Sequence, residues 1–320
     1  MKKKLTPSFL LRKRKRLKPN QTAAVKFFNY LKKELTKQLN LKKDSTIEDA
    51  LDKLLKVDFT GIKKHINRLG LDVLKKNREG FANILESLTI GLAQQNIQKQ
   101  KQREEELFKQ ALPSLIKETK IYQPFLDKFN ENMSLIKNLP ADVERELKKA
   151  YLKGEGFRGQ DIEDYITEKM GKRAKLIIRT ESAKLNSALT EVRAKSLDIN
   201  CYMWSTSQDA RVRPSHKLMN NVLVFFNDTP ILDGMKGNAG ETPNCRCIEL
   251  PVFGIDDISF PVKVAERLVV DSKYNKSTKR SNAIIKSGKI AIYNKKEFIE
   301  KYGNNFNREV LNEKIQNYER

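Results

Sequence analysis

Apolar residues recur at helical spacing through most of the chain up to about residue 200. The segment TAAVKFFNYLKKELTKQL, residues 22–39, has apolar side chains three and four positions apart, which predicts an amphipathic helix. In STIEDALDKLLK, residues 45–56, Ser45 and Glu48 stand in the register of a capping box ahead of an apolar face. We therefore predict a long, mostly helical N-terminal region.

The longest predicted helix runs from Leu71 to Leu112. Its first half is apolar on one face, whereas QQNIQKQKQREEELFKQ, residues 94–110, is polar on most sides. Such a helix is not buried all round, so we expect it to extend from the body or to pack on a partner. Pro113 and Pro124 interrupt the pattern beyond it.

Two more stretches of helical pattern follow. LPADVERELKKAYLKGEG, residues 139–156, has Pro140 near its first turn and Gly154 near its end, which are the positions these residues favour. GQDIEDYITEKMGKRAKLIIRTESAKLNSALTEVRAKSL, residues 159–197, predicts two helices with a break near Gly171.

The pattern changes after Asp198 to short apolar and β-branched runs bounded by turn residues. These predict strands in NCYMWSTS (200–207), NVLVFFND (221–228) and CRCIELPVFG (245–254). Pro251 limits how central the last strand can be, because proline cannot donate to the ladder.

Turn residues and short apolar runs also mark the remaining segments. DTPILDGMKGNAGETPN, residues 228–244, is rich in Gly and Pro and predicts a loop. In the tail, NAIIKSGKIAIYN (282–294) predicts a hairpin that turns at Ser287 and Gly288, and KKEFIEKYG (295–303) predicts a short helix.

These elements predict an α+β protein in which a long, mostly helical region precedes a small α+β domain with a short antiparallel sheet. We divide the chain into a basic arm at 1–20, a helical region at 21–170, the small domain at 171–255 and a basic C-terminal extension at 256–320. The helical region is the candidate for association with a partner.

The composition fits a protein of modest core. Of the 320 residues, 39% are hydrophobic and 32% are charged. No apolar run approaches the roughly 20 residues that span a bilayer, so we predict no membrane span. The basic start lacks the apolar run of a secretory signal, and three cysteines are too few for a disulfide framework. We expect a protein made in a reducing cytoplasm.

The net charge of +23 is concentrated at the two ends of the chain. Residues 261–320 hold fourteen basic and seven acidic residues, and the arm holds nine basic residues and no acid. Such charge favours non-specific binding to the phosphates of double-stranded DNA, although a solubilising tail or an acidic protein partner has the same composition. The predicted DNA-binding residues are Lys2, Lys3, Lys4, Arg12, Lys13, Arg14, Lys15, Arg16 and Lys18.

Two of the three cysteines, Cys245 and Cys247, are separated by one residue. On a strand they point to one face and Arg246 points to the other. With His216 they make three ligands of a tetrahedral zinc site; the candidates for the fourth ligand are Asp209, Glu241 and Cys201. The alternative is that both thiols are small core residues and His216 is a hydrogen-bonded turn residue.

Charged residues cluster in the same window as the thiols. Arg179, Thr180 and Glu181 begin one helical stretch, and Asp209 and Arg211 follow Trp204. We predict that the charged groups form a buried ion-pair network that fixes the small domain. The alternative is a polar active site built from the same groups.

As a set, these motifs resemble the phage Mu F-like head-morphogenesis family, the minor head proteins of tailed phages. The family pattern is an R-T-E helix, an aromatic strand ending in Trp, D-x-R, a loop and P-N-C-R-C. The corresponding residues here are Arg179, Thr180, Glu181, Trp204, Asp209, Arg211, Asn244 and Arg246, with Cys245 and Cys247. Many members carry C-x-x-C after D-x-R and a His before P-N-C-R-C, where this chain has Arg213, His216 and Thr242.

The resemblance implies a structural virion component that is made in the host cytoplasm and takes part in head morphogenesis. Members are packaged in few copies inside the head or at the portal vertex, where the portal protein, the inner capsid and DNA are the implied partners. The domain implies no catalytic activity. One alternative is a phage-delivered effector enzyme, either a nuclease or an ADP-ribosyltransferase-like toxin, in which Arg179, Glu181, Asp209 and His216 are catalytic. Another is a host nucleic-acid-binding protein unrelated to phage.

Overall fold

In the computed structural model, the part of the chain that is described comprises residues 21–93, 122–152, 160–196, 198–252, 254–275 and 280–306. The predictions for the basic arm at 1–20 and for the polar helix at 94–110 lie outside these residues. Pro124, expected to interrupt the helical pattern, lies in the first turn of a helix, where its missing N–H costs nothing.

The described residues form eight α-helices and seven strands. Six helices come first, which confirms the predicted helical N-terminal region. The helices are α1 (Gln21–Leu39), α2 (Ile47–Leu55), α3 (Thr60–Ala93), α4 (Gln123–Met133), α5 (Leu139–Leu152), α6 (Gln160–Ser196), α7 (Pro214–Leu218) and α8 (Lys295–Tyr302). Within this part of the chain, no helix is both long and apolar enough to cross a membrane.

The described residues divide into two compact units. One is helical and is built from residues 21–73 and 123–182; the other comprises 74–93, residue 122 and the described residues from 183 onward. The helical unit has its own core, because α1 buries one apolar face at a spacing of three and four residues. The buried residues of that face are Ala24, Phe27, Leu31, Leu35 and Leu39.

The predicted break near Gly171 is absent, since α6 continues through that residue as one helix of 37 residues. Gly171 serves a packing role instead. A β-carbon at this position would overlap the ring of Phe28, so the glycine allows α1 and α6 to approach closely within the helical unit.

The capping box of α2 lies one residue later than predicted. Thr46 accepts a hydrogen bond from the backbone of Asp49, and the Asp49 carboxylate accepts one from the Thr46 backbone. Ser45 accepts a hydrogen bond from the backbone of Lys42 instead. The error arose because Ser and Thr stand side by side, and both residues favour the N-cap position.

The seven strands form one mixed sheet, which corrects the prediction of a short antiparallel one. In spatial order the main path is β4-β3-β6-β2-β1-β5, and β7 pairs with β6. The strands are β1 (Cys201–Ser205), β2 (Val222–Phe225), β3 (Ile231–Leu232), β4 (Met235–Lys236), β5 (Ile248–Pro251), β6 (Val262–Asn275) and β7 (Arg280–Tyr293).

The parallel pairings come from β6, which pairs in parallel with β2 near its start and with β3 near its middle, while β7 pairs with β6 over its whole length. Residues predicted to be an extension therefore lie inside the sheet. Two local predictions also change. The segment 228–244 contains the small hairpin β3–β4, and 280–293 is one continuous strand, β7, that pairs with β6. The predicted turn residue Gly288 lies at a bulge, with φ of +69°.

Two predictions from this region are confirmed. Strand β5 lies at the end of the main strand path and pairs with β1, as Pro251 indicated. The segment KKEFIEKYG forms α8, which is capped by Asn294.

Around β1, both faces of the sheet are covered, because alternate residues of this strand enter different apolar clusters. Tyr202 and Trp204 pack in one cluster with Cys245 and Cys247. The opposite face is formed by a cluster that includes Cys201, Met203, Leu250 and, from α8, Phe298. The Cys and His side chains of interest therefore belong to the first face.

Candidate metal centre

Three potential metal ligands converge on one face of the sheet. The Nδ1 atom of His216 lies 3.4 Å from Sγ of Cys245 and 3.6 Å from Sγ of Cys247. The three ligand atoms all lie within 4.8 Å of one another, and all three residues are buried. This group of side chains could hold a metal ion.

The separations agree with the geometry of a zinc site. Tetrahedral zinc with bonds of about 2.3 Å to sulfur and about 2.0 Å to nitrogen places neighbouring S and N ligands roughly 3.5 Å apart. The two S···N distances to His216 are 3.4 and 3.6 Å. The residues present therefore fit three of the four positions around zinc.

The loop before β5 positions the two thiols. The backbone N–H of Cys245 donates to the carbonyl of Thr242 at 3.0 Å, which closes a turn. Asn244 has a φ of 57°, a left-handed conformation that Asn tolerates better than most residues. The sequence pattern predicted that both cysteines lie on a strand. They precede β5 instead, but both thiols still converge on His216.

His216 lies on α7, a short helix that begins with Pro214. The Arg213 guanidinium donates to the Pro243 carbonyl at 2.6 Å and so ties the start of α7 to the cysteine loop. The His216 ring packs edge-on against Trp204, with 5.7 Å between ring centroids. Among the described residues, its Nε2 atom has no hydrogen-bond partner, so Nδ1 is the atom that engages the thiols.

The Cys245 thiol lies in surroundings that favour its deprotonated form. The hydrogen bond from Cys247, supported by the hydrogen bond and charge of His216, holds the pKa of Cys245 well below its usual range despite burial. The thiolate is the form of cysteine that binds metals.

The three candidates for a fourth ligand are engaged elsewhere. Asp209 accepts hydrogen bonds from Arg246, and Glu241 accepts one from the backbone of Asn238. Cys201 packs in the cluster on the opposite face of the sheet. In the described part of the chain, no further Cys, His, Asp or Glu joins the three ligands.

Arg246 points away from the thiols and pairs with Asp209. Its two terminal nitrogens bond the two carboxylate oxygens, one of them at 2.7 Å. The Arg246 side chain is only 10% exposed. Arg211 contributes its backbone N–H to Asp209, while its side chain is 76% exposed. The ion pair joins the segment after β1 to the cysteine loop, a pairing that the sequence pattern did not predict.

We expect this ion pair to stabilise the fold most strongly above pH 4 or so. The hydrogen bonds from Arg246 lower the pKa of Asp209 from 3.8 to about 2. Because the folded-state pKa is depressed, the stabilisation is complete above the unfolded-state pKa and is lost as pH falls toward about 2.

The test is urea unfolding from about pH 5 to about pH 2, since this range covers both the ionised and the protonated form of Asp209. The free energy of unfolding should fall less steeply with decreasing pH in Arg246→Gln than in the parent. Lys56→Gln removes an exposed ion pair with Asp52 and should leave the parental slope unchanged. Equal slopes for Arg246→Gln and the parent would contradict the assignment.

The R-T-E residues lie within α6. Thr180 and Glu181 are buried, and the Glu181 carboxylate accepts a hydrogen bond from Asn132 at 2.7 Å. Arg179 is half-buried. Glu181 is thus bonded to an amide within the helical unit, and Asp209 is bonded to Arg246. The predicted network that joins Arg179 and Glu181 to Asp209 and Arg211 stays a prediction.

Two acidic groups, one buried and one half-buried, were missed by sequence reasoning. Glu249 is buried on β5 and accepts a hydrogen bond from Ser187, and burial raises its pKa well above the usual range. Asp233 accepts hydrogen bonds from Ser215 at 2.7 Å and from the Ser272 backbone at 2.6 Å. The only local signal was a lone acid within the apolar run CIELPV.

Comparison with known families identifies the class of domain that contains this centre. The model of the family Phage Mu protein F like protein matches residues 141–249. The match includes the R-T-E helix, Trp204, Asp209 and the cysteine loop, and it confirms the resemblance that these motifs indicated.

The chain is also similar to a particular bacterial protein. An uncharacterized protein of Haemophilus influenzae is 33% identical over 128 residues, which cover 38% of this chain and 28% of that protein. The chain thus spans less than a third of the length of this relative. No solved structure gives a significant match.

Proposed function

We propose that this protein is a minor head protein of a tailed phage that acts in head morphogenesis. The observation that supports this most directly is the family match over residues 141–249, which contains the complete ordered set of motifs. The proposed location is inside the head or at the portal vertex. The protein would be made in the host cytoplasm before it joins the particle.

The proposed partners are the portal protein and the inner capsid, with the helical region as the part that binds them. The helical unit offers large apolar side chains at its surface, which suit contact with another protein. The exposed residues of this kind are Val25, Leu55, Leu71, Leu135 and Leu176, each more than 40% exposed. Double-stranded DNA is the third proposed partner, bound by the basic arm.

We further propose that His216, Cys245 and Cys247 hold a structural zinc ion. Bound zinc would supply cross-links between α7 and the cysteine loop, in addition to the hydrogen bond between Arg213 and Pro243. Both elements pack against β1 through Trp204 and its cluster. The ion would therefore stabilise the small domain.

A structural role is favoured over an effector enzyme by the contacts of the candidate catalytic groups. His216 is 2% exposed and directs Nδ1 at two thiols. Asp209 is held by Arg246, and Glu181 is buried against Asn132. A general base must accept the proton that it removes, and each of the three groups is already engaged by a neighbouring side chain.

The function is tested by locating the protein in assembled particles. Quantitative mass spectrometry of purified heads should find the chain at a few copies per particle, together with the portal protein. Filled heads from which the chain is absent would overturn the proposal. A hydrolase or transferase activity of the purified chain that is lost in a folded Glu181→Gln variant would favour the effector enzyme instead.

A further inference from the structure

Strands β6 and β7 form a ribbon that continues beyond the rest of the sheet. Strand β6 pairs with β2 through Val222 and Leu223, and with β3 as far as Val270. From Asp271 to Asn275, its strand partner within the described residues is β7 alone. The distal ribbon is therefore two strands wide.

One face of this distal ribbon carries two lysines and an asparagine, beside Asp271 and the partly exposed Ile284. Opposed residues on antiparallel strands share a face, and so do residues two apart along a strand. The register pairs Asp271 with Ile284 and Lys273 with Asn282. Lys286 lies at a register shift, and its Nζ atom comes within 4.0 Å of the Asp271 carboxylate, which places it on the same side. Lys273 and Asn282 are exposed, and the Lys286 side chain is 56% exposed. We call Lys273, Asn282 and Lys286 the ribbon face.

The charge of the two strands is strongly unbalanced. They contain six basic residues and two acidic residues, a surplus of four positive charges. Glu266 is already bound by Lys301, Tyr302 and Tyr293. Asp271 lies 4.0 Å from Lys286, which is the outer limit of an ion pair. Among the described residues, Lys273 forms no ion pair, so its ammonium group is available to a ligand.

The dimensions of the ribbon face suit a DNA duplex. Lys286 is four residues along β7 from Asn282, the partner of Lys273, so the two lysines lie about 13 Å apart along the ribbon. The major groove is about 12 Å wide and admits a two-stranded β-ribbon. In a ribbon that lies along the groove, the two ammonium groups would stand at successive positions beside the phosphates that border it. Asn282 adds a polar side chain of the kind that bonds phosphate or sugar.

The alternative ligand is an extended protein segment that adds to the free edge of β7. The edge is poorly suited to this, because Lys286 and Lys289 lie on it and a bulge interrupts the ladder near Gly288. Lysines and bulges are devices that discourage strand addition. The charge and the shape of the ribbon therefore favour phosphate over a peptide backbone.

We propose that the ribbon face binds the phosphates of duplex DNA, without sequence preference, as a second contact besides the basic arm. This contact adds to the proposed function and rests on it for one point only, namely that the bound nucleic acid is the packaged DNA. The contact itself stands on the exposure, spacing and charge of Lys273 and Lys286.

The test measures DNA binding by the full-length chain at a series of salt concentrations, using fluorescence anisotropy of a labelled random-sequence duplex. In the Lys273→Gln/Lys286→Gln variant, the slope of log K against log salt should become shallower by about 1.8, the value for two phosphates. Asp271→Asn removes the acid on this side of the ribbon and should tighten binding. The Lys273→Arg/Lys286→Arg variant should keep the parental slope.

Lys63→Gln/Lys64→Gln is the matched control, because it removes the same charge from exposed positions of α3. It should leave the slope unchanged, and an equal change there would overturn the inference. An unchanged slope in a folded Lys273→Gln/Lys286→Gln variant would also overturn the inference. If that variant kept the parental slope but no longer entered heads, the ribbon would bind a protein instead of DNA.

The inference and the proposed function can fail separately. If the chain is absent from heads but the ribbon variant changes the slope, the proposed function fails and the DNA contact stands. If the chain enters heads and the slope is unaffected, the ribbon inference fails alone.

Discussion

Neutralising the basic arm is expected to remove most of the salt dependence of DNA binding. Residues 1–20 contain nine Lys or Arg and no acid. Each phosphate neutralised on a duplex contributes about 0.9 to the slope of log K against log salt, so replacing all nine with Gln lowers its magnitude by up to about 8. Phe9 is the only aromatic residue in this segment, so binding should not depend on base stacking or on sequence.

The measurement is a gel-shift series at rising salt, run beside a head-incorporation assay on the same variant. Retained DNA affinity with lost incorporation would mean that the arm contacts an acidic protein surface. If neither property changed, the arm would have neither role. The ribbon variant provides the internal comparison, because it removes only two charges and should produce a much smaller change in slope.

Replacing Cys245 with serine is expected to remove bound zinc and to lower the melting temperature strongly. Serine leaves a buried hydroxyl that needs a partner, and it removes one of the three ligands. Structural zinc contributes on the order of 10 kcal/mol in zinc-finger peptides, so losing the ion should have a large effect. We expect His216→Ala to have the same consequence, because it removes the nitrogen ligand.

Elemental analysis of protein purified without a histidine tag checks this prediction, and the parent should contain close to one zinc per chain. The matched control is Cys201→Ser, which places a hydroxyl at an equally buried cysteine in the opposite cluster. This control should lose some stability and keep its zinc. A parent without zinc, with Cys245→Ser and Cys201→Ser equally destabilised, would show that the cluster is purely apolar packing.

The helices and the composition of the centre follow from local pattern. The apolar spacing of residues 22–39 predicts α1 because one face of a helix must be buried, whatever covers it. His216, Cys245 and Cys247 were predicted as a group from residue type and position in one window, and the structure brings them together. Thiols and imidazoles are rare in this chain, so few combinations could form a metal centre.

The errors arose where several local solutions have similar energies. Ser45 and Thr46 both suit an N-cap, and only the bonds with Asp49 select Thr46. Gly171 looked like a helix break because glycine is a poor helix former. Its actual role is to leave room for the ring of Phe28. Ser287 and Gly288 looked like a hairpin turn, but their place at a bulge depends on the facing strand β6.

By itself, the sequence determined the helical character of the N-terminal region, the change to strands after Asp198, the basic ends and the membership of the Cys-His group. Those properties depend on the spacing of residues along the chain and on their chemistry, and both can be read from short segments of sequence. Only the tertiary structure decided that β6 pairs in parallel with both β2 and β3, that Arg246 pairs with Asp209 and that Glu249 is buried. These contacts join residues distant in sequence, and their energies depend on which surfaces meet and exclude water.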